Sequence, residues 1–297
     1  MANSKFAINS ITKRLLQQLL TRDDANVKRS CKTSQTAIFR QLSNSPWTGR
    51  QDEEWGRFES NLRSAIELGV IEQFRMTVAP GQTNLGEDLR FIDRLGHIPI
   101  NLATATNVPW SAQQMEDVYS QVETFYVEIA RSKRLPPIEE TNDLLLALAK
   151  RRRGTSEVRR RRFCQAGDQL LAVDTEGQLL LCHRMTHRGK DFGMGDLWTG
   201  VDHNRRSPFI VLKPEQFHHP ICETCYARPY CPGSCMAANK DATNEPFYPE
   251  ERHCLDLRSH VSAVERIMSV YDREKWPAVT KFMEEGCLSA QPALAPA

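Results

Sequence analysis

Seven cysteines between positions 164 and 254 are the residues of this chain best suited to chemistry: Cys164, Cys182, Cys222, Cys225, Cys231, Cys235 and Cys254. Their spacing is C-x12-G-x4-C, then C-x2-C-x5-C-x3-C, then a distal C. Thiolates gathered in this way bind soft metal centres, iron–sulfur clusters above all and zinc next. Seven is an odd number for disulfides, which also suit a reducing compartment poorly. A structural zinc takes four thiolates; Cys222, Cys225, Cys231 and Cys235 would serve, leaving three without a role. Two four-iron clusters, taking four and three of the sulfurs, account for all seven and leave one iron open or completed by another group. His183, His187, His218 and His219 are near enough in sequence to complete it, although each is more often an ordinary surface or turn histidine, having no evident carboxylate partner. Cys31 and Cys287 fall outside the pattern and read as plain thiols, and no residue stands out as a general acid or base.

The local sequence says how these thiols are held. Residues 170–181 predict a β-hairpin turning at Glu176-Gly177, which sets Cys164 and Cys182 side by side at its open end. Cys222-x2-Cys225 is a knuckle able to place two thiolates on one centre, and Pro229, Pro232 and Gly233 keep the next turns tight. Asp174, Glu176 and Asp196 are turn residues, and 193–201 predicts a further turn. Cys254 precedes a helix whose buried face is Leu257, Val261, Val264 and Met268. So little apolar material lies from 183 to 220 that metal ligation, able to contribute on the order of ten kcal/mol, is needed to hold the region together.

The region resembles the SPASM domain, the C-terminal auxiliary-cluster domain of radical S-adenosylmethionine enzymes. Every position of that family's cysteine pattern is met over about ninety residues, with Gly177 as its glycine. The resemblance implies two [4Fe–4S] clusters, one held by Cys164, Cys182 and Cys235, the other by Cys222, Cys225, Cys231 and Cys254. It further implies a peptide or protein substrate, electron transfer to or from a substrate radical, and a redox donor such as ferredoxin or flavodoxin. One departure limits this. The family cleaves S-adenosylmethionine at a third cluster held by C-x3-C-x2-C, and before Cys164 the chain has only Cys31. It therefore cannot cleave S-adenosylmethionine as written, and that cofactor is expected only if a missing N-terminal part or a radical SAM partner chain supplies the third cluster. The alternative is a zinc-stabilised partner-binding module without redox activity.

The first half must present this region. Helical periodicity marks 55–66 and 85–95, strands are predicted over 74–78 and 98–103, and Ser111 with Gln114 opens a long helix buried through Met115, Val118, Val122, Phe125 and Ile129. Such alternation argues for parallel strands with helices outside, and the segments resemble the later part of the family's (β/α)6 barrel. Too few strands are present to close one. A short helix over 144–148 follows Pro136-Pro137. The expected organisation is therefore α/β: a partial (β/α) barrel over 1–153, an iron–sulfur domain with a hairpin and a C-terminal helix over 154–275, and a flexible tail over 276–297. An N-terminal helix over 11–20 and a short strand at 37–39 are also predicted.

Basic clusters at 150–153 and 159–162 read as a solvated linker, or else as a docking surface for an acidic peptide or electron-transfer protein. No aromatic residues interleave with the arginines, which argues against nucleic acid. A chain of 297 residues, 40% hydrophobic, 26% charged and of net charge +2 has room for two domains, and its bulk charge favours no partner. No apolar run approaches the ~20 residues that span a bilayer. The N-terminus lacks a signal peptide's apolar core, and Asp23 and Asp24 argue for a packed helix over a presequence, so a cytoplasmic protein is expected.

Overall fold

The computed structural model describes residues 51–69, 71, 73–81, 84–106, 108–131, 134–154, 163–186, 189–211 and 220–285. The segments predicted at 11–20 and 37–39, Cys31, Cys287, His187, His218, His219 and the cluster at 159–162 lie outside them. The chain is a mixed α/β protein with two small sheets.

Its first half alternates helix and strand: α1 (Gln51–Glu67), β1 (Phe74–Val78), α2 (Leu85–Leu95), β2 (Ile100–Thr104), α3 (Ala112–Arg131) and α4 (Glu139–Arg152). Leu85, Leu89, Ile92 and Leu95 recur every three or four residues and are all buried, which fixes the face that α2 presents. α3 opens on a reciprocal capping box: the Ser111 N–H donates to Gln114 Oε1 (2.9 Å) and the Gln114 N–H to Ser111 Oγ (3.2 Å). β1 and β2 pair in parallel, Phe74 opposite Ile100 through Val78 opposite Thr104. Phe74, Met76, Val78 and Ile100 enter one core with α2, α3 and Leu62 of α1, while Arg75 and Thr77 on the other face are exposed.

This sheet ends at β2 in an unusual way. Ile138 makes a single parallel bridge to Ile100, and then α4 begins. Where a third strand would offer its next carbonyl, the carboxylate of Glu140 accepts the Leu102 N–H (3.0 Å) and the Asn101 side-chain amide. A side chain thus finishes the edge that a third strand would otherwise cover. α4 is longer than predicted and absorbs the first basic cluster. Lys150, Arg151 and Arg152 form its last turn, where cations complement the helix dipole, and Arg152 pairs with Asp272 at 2.7 Å. The linker reading is corrected for these residues.

The second sheet is antiparallel, in the order β3 (Ala172–Val173), β4 (Gln178–Leu180), β5 (Gly193–Asp196) and β6 (Gly200–Val201). β3 and β4 are the predicted hairpin. β5 and β6 occupy the stretch expected to be only a turn, and the glycines at 193 and 195 explain why periodicity missed them. Gly195 has φ +110°, and a Cβ there would lie 2.0 Å from the Gly200 carbonyl oxygen. Gly177, at φ +75°, lies under the indole of Trp198, 2.6 Å from where its Cβ would be. Asp174 Oδ1 accepts the N–H groups of Glu176 (2.9 Å) and Gln178 (2.8 Å), and Asp196 Oδ1 those of Trp198 (2.8 Å) and Thr199 (2.7 Å). The acidic residues are turn formers, as their positions suggested.

The chain continues through α5 (His203–Ile210), α6 (Pro220–Glu223), α7 (Met236–Thr243), α8 (Glu251–Glu274) and α9 (Pro277–Glu285). Two expectations are corrected here. Cys254 lies within the first turn of α8 rather than ahead of it. The tail expected from 276 instead begins with α9, whose Val279, Phe282 and Met283 are buried with Trp276 against α3, α4 and α8. Their three- and four-residue spacing makes one apolar face, and the Pro/Ala-rich stretch that suggested a tail lies outside the described residues. α8 also joins the halves: Ala263 belongs to the first core, and Val264, Ile267, Met268 and Tyr271 to the second. No helix among the described residues is long and apolar enough to cross a membrane.

Candidate metal centre

All seven pattern cysteines are described, and all are free thiols. Cys182 is buried at the end of β4, Cys164 is exposed before β3, and the other five are half-buried. They fall into two sets. Burial raises the Cys182 thiol above its ordinary pKa, and the nearby charges of Cys235 and Cys164 add to the rise. Burial likewise pushes Cys254 up to about 11, with Cys231, Cys222 and Cys225 adding to it and Arg258 opposing. Of the central run, Cys235 is thus within electrostatic reach of Cys182, and Cys222, Cys225 and Cys231 are within reach of Cys254.

Each set is built by tight local turns. The N–H of Cys225 donates to the Cys222 carbonyl (3.4 Å), that of Arg228 to Cys225 (3.1 Å) and that of Cys231 to Arg228 (3.2 Å). Consecutive backbone turns thus join Cys222, Cys225 and Cys231 along one tightly wound stretch. At Ser234 the chain reverses with φ +71°, a left-handed conformation that costs a non-glycine residue on the order of 1–3 kcal/mol. That reversal sends Cys235 away from Cys231 and into the N-cap of α7.

Asn239 secures the reversal and was not singled out from sequence. Fully buried, it donates from Nδ2 to the carbonyls of Gly233 and Pro246 (both 3.0 Å), and its Oδ1 accepts the Glu250 N–H (3.0 Å). Its own N–H donates to the Cys235 carbonyl (2.8 Å). One amide therefore ties the Cys231–Cys235 loop to the start of the helix carrying Cys254. An asparagine inside a short helix carries no sequence signal of such a role.

Several donors point at sulfur, and the backbone N–H groups of Arg184 and Met185 partly offset the rise at Cys182. Arg184 Nη1 lies 3.5 Å from Cys235 Sγ and the Gly233 N–H 3.4 Å from Cys231 Sγ; such bonds stabilise the thiolate form and tune bound metal. Ser234 Oγ and His253 Nε2 are buried without a hydrogen-bond partner, although native interiors rarely leave polar atoms so. Burial, helped by Arg252, lowers His253 to about 4. His183 is exposed in the turn after Cys182.

Cys182 and Cys254 are poorly suited to nucleophilic catalysis. Reactive cysteines sit in electropositive surroundings that lower their pKa, whereas Cys182 and Cys254 are raised. Among the described residues no three histidine, cysteine or carboxylate side chains stand grouped to hold a single metal ion. The donor set nonetheless fits a soft metal group: seven sulfurs in sets of three and four, N–H donors facing three of them, and orphaned polar atoms beside one set. Cys164, Cys182 and Cys235 would hold one such group and Cys222, Cys225, Cys231 and Cys254 the other.

No family model matches the chain, and no curated protein matches its sequence.

A second polar cluster, also missed from sequence, joins β2, α3, α4 and α8. Tyr119 donates to Asp256 Oδ1 (2.7 Å), and Arg252 Nη1 donates to Thr104 Oγ1 at the C-terminal end of β2 (2.8 Å). His260 stacks on Tyr119 with ring centroids 4.4 Å apart and bonds Thr141 Oγ1 at 3.0 Å. Burial raises Glu140 to about 7 and lowers His260 to about 3. Tyr119, Asp256, Thr104, Thr141 and His260 are all bonded within it, while Arg252 Nε is left buried without a partner, and the cluster works as an internal brace between the two halves.

Proposed function

We propose that the chain is an auxiliary electron-transfer component of the radical SAM/SPASM type, carrying two [4Fe–4S] clusters and acting with a peptide or protein substrate. The observation that supports this reading is that Cys182 feels the charges of Cys235 and Cys164 while Cys254 feels those of Cys231, Cys222 and Cys225, in line with the division that the resemblance implies. A single zinc uses four thiolates and gives no reason to build the three-sulfur set. Bound there, iron–sulfur clusters would supply one-electron redox chemistry. The protein's own part is to hold the thiolates, direct Arg184 and the Gly233 amide at them, and keep the second set half-shielded from water. The two-strand sheet finished by Glu140 and flanked by helices fits a fragment of a (β/α) barrel. Cleavage of S-adenosylmethionine then falls to a missing N-terminal part or a partner chain, and the reduced thiols suit a cytoplasm.

Anaerobic purification with metal analysis tests this. The expected result is a brown protein with about eight irons, and Cys225→Ser should lose about half of the iron while Cys164 and Cys182 keep theirs. A colourless protein with about one or two zincs would establish the zinc-stabilised binding module instead.

A further inference from the structure

Three sulfurs leave one iron of a four-iron cluster without a protein ligand, and the structure holds a buried, unpartnered nitrogen on a ring that packs against Phe163, the neighbour of Cys164. His253 is one residue before Cys254 on α8, and successive helical residues point about 100° apart, so the two side chains serve different sides. Its ring meets the edge of Phe163 with centroids 5.6 Å apart, and Phe163 is the residue before Cys164. From the other direction, the Asn239 side chain holds the Glu250 N–H and its backbone holds the Cys235 carbonyl. The first turn of α8 is thereby tied to the residue that completes the three-sulfur set. His253 is thus linked to Cys164 through Phe163 and to Cys235 through Asn239. Its Nε2 is buried and has no partner. The histidines nearer in sequence offer no such placement: His183 is exposed, and the others lie outside the described residues.

We propose that His253 Nε2 is the fourth protein ligand of the iron–sulfur cluster held by Cys164, Cys182 and Cys235. This rests on the function proposed above. Imidazole is a recognised replacement for thiolate at iron–sulfur centres, where it raises the potential and makes it sensitive to the outer ring nitrogen. The orphaned nitrogen then has its partner, and its burial beside an exposed Cys164 has a reason.

The test uses the full chain purified anaerobically with ¹⁵N-labelled histidine, chemically reduced, and read by pulsed electron paramagnetic resonance. The native protein should show a histidine nitrogen strongly coupled to one of its two clusters. His253→Phe keeps the ring edge on Phe163 but removes the nitrogen, so the coupling should vanish and iron should fall by about one atom per chain. His253→Cys should restore the iron without the coupling. Coupling that survives His253→Phe, or a fully iron-loaded native protein with none, overturns the assignment and leaves the proposed function standing. A native protein that takes up no iron overturns both.

Discussion

At the scale of single residues, the candidate centre depends on side chains that hold the cysteines rather than on the cysteines alone. Asn239 is the clearest case, because its three side-chain hydrogen bonds reach the loop before Cys235, the turn at Pro246 and the start of α8. Asn239→Ala leaves two part-buried carbonyls and one buried N–H without a partner; at about 1 kcal/mol each, the expected cost is about 3 kcal/mol. Asn239→Asp keeps the acceptor for Glu250 but loses both donations, and brings a buried charge besides. It should therefore be no better than alanine. Chemical denaturation checks the ranking, and metal content should fall in both variants, because the two sulfur sets share this anchor. An aspartate variant of native stability would show that the carbonyl contacts contribute nothing.

At the scale of elements, the polar groups between β2, α4 and α8 set how stability varies with pH. Glu140 has a folded pKa of about 7, raised by burial from 4.5. Its protonated form is favoured in the folded state, so its contribution is fully present below pH 4.5 and is lost as pH rises through 7. The 2.5-unit shift corresponds to on the order of 3 kcal/mol. His260 runs the other way: burial depresses it to about 3, so its contribution is present above its ordinary 6.5 and is lost as pH falls below that. Unfolding measured across pH should show a maximum between these limits. Glu140→Gln should flatten the alkaline limb and His260→Gln the acidic one, each leaving the other limb in place. The helices and strands that carry these groups were legible because Leu85, Leu89, Ile92 and Leu95, or Phe74, Met76 and Val78, repeat at the period of their element. β5 and β6 were not, since Gly193 and Gly195 give no alternation and their pairing depends on contacts with Gly200. The brace itself was illegible: Tyr119 meets Asp256 across 137 positions, a distance that no local pattern spans. Spacing alone also cannot decide which neighbours Cys235 meets, four residues after Cys231, because the left-handed turn at Ser234 between them leaves no mark in the spacing.

At the scale of the whole molecule, α8 makes the two halves depend on each other. Its first turn carries Cys254, Arg252 reaches Thr104 of β2 and Arg266 pairs with Glu123 (2.6 Å) and Glu116 (2.9 Å) of α3. Further along, Ile267, Met268 and Tyr271 pack with α3, α4 and α9. A small sulfur-rich region hung on a linker would unfold alone, whereas one anchored on a helix shared by two cores should unfold with them. Ile267→Ala tests this far from any sulfur. Ile267 is fully buried, so truncation should cost about 2–5 kcal/mol. The loss of helical circular dichroism and of the visible absorbance of bound metal should then shift together, to the same lower denaturant midpoint. If the helical signal shifts while the metal signal stays at its native midpoint, the cysteine region is an independent unit and α8 is only its neighbour. Coincident shifts would mean that metal bound near Cys254 stabilises the helical half as well, since a ligand that binds only the folded state stabilises everything that unfolds with its site.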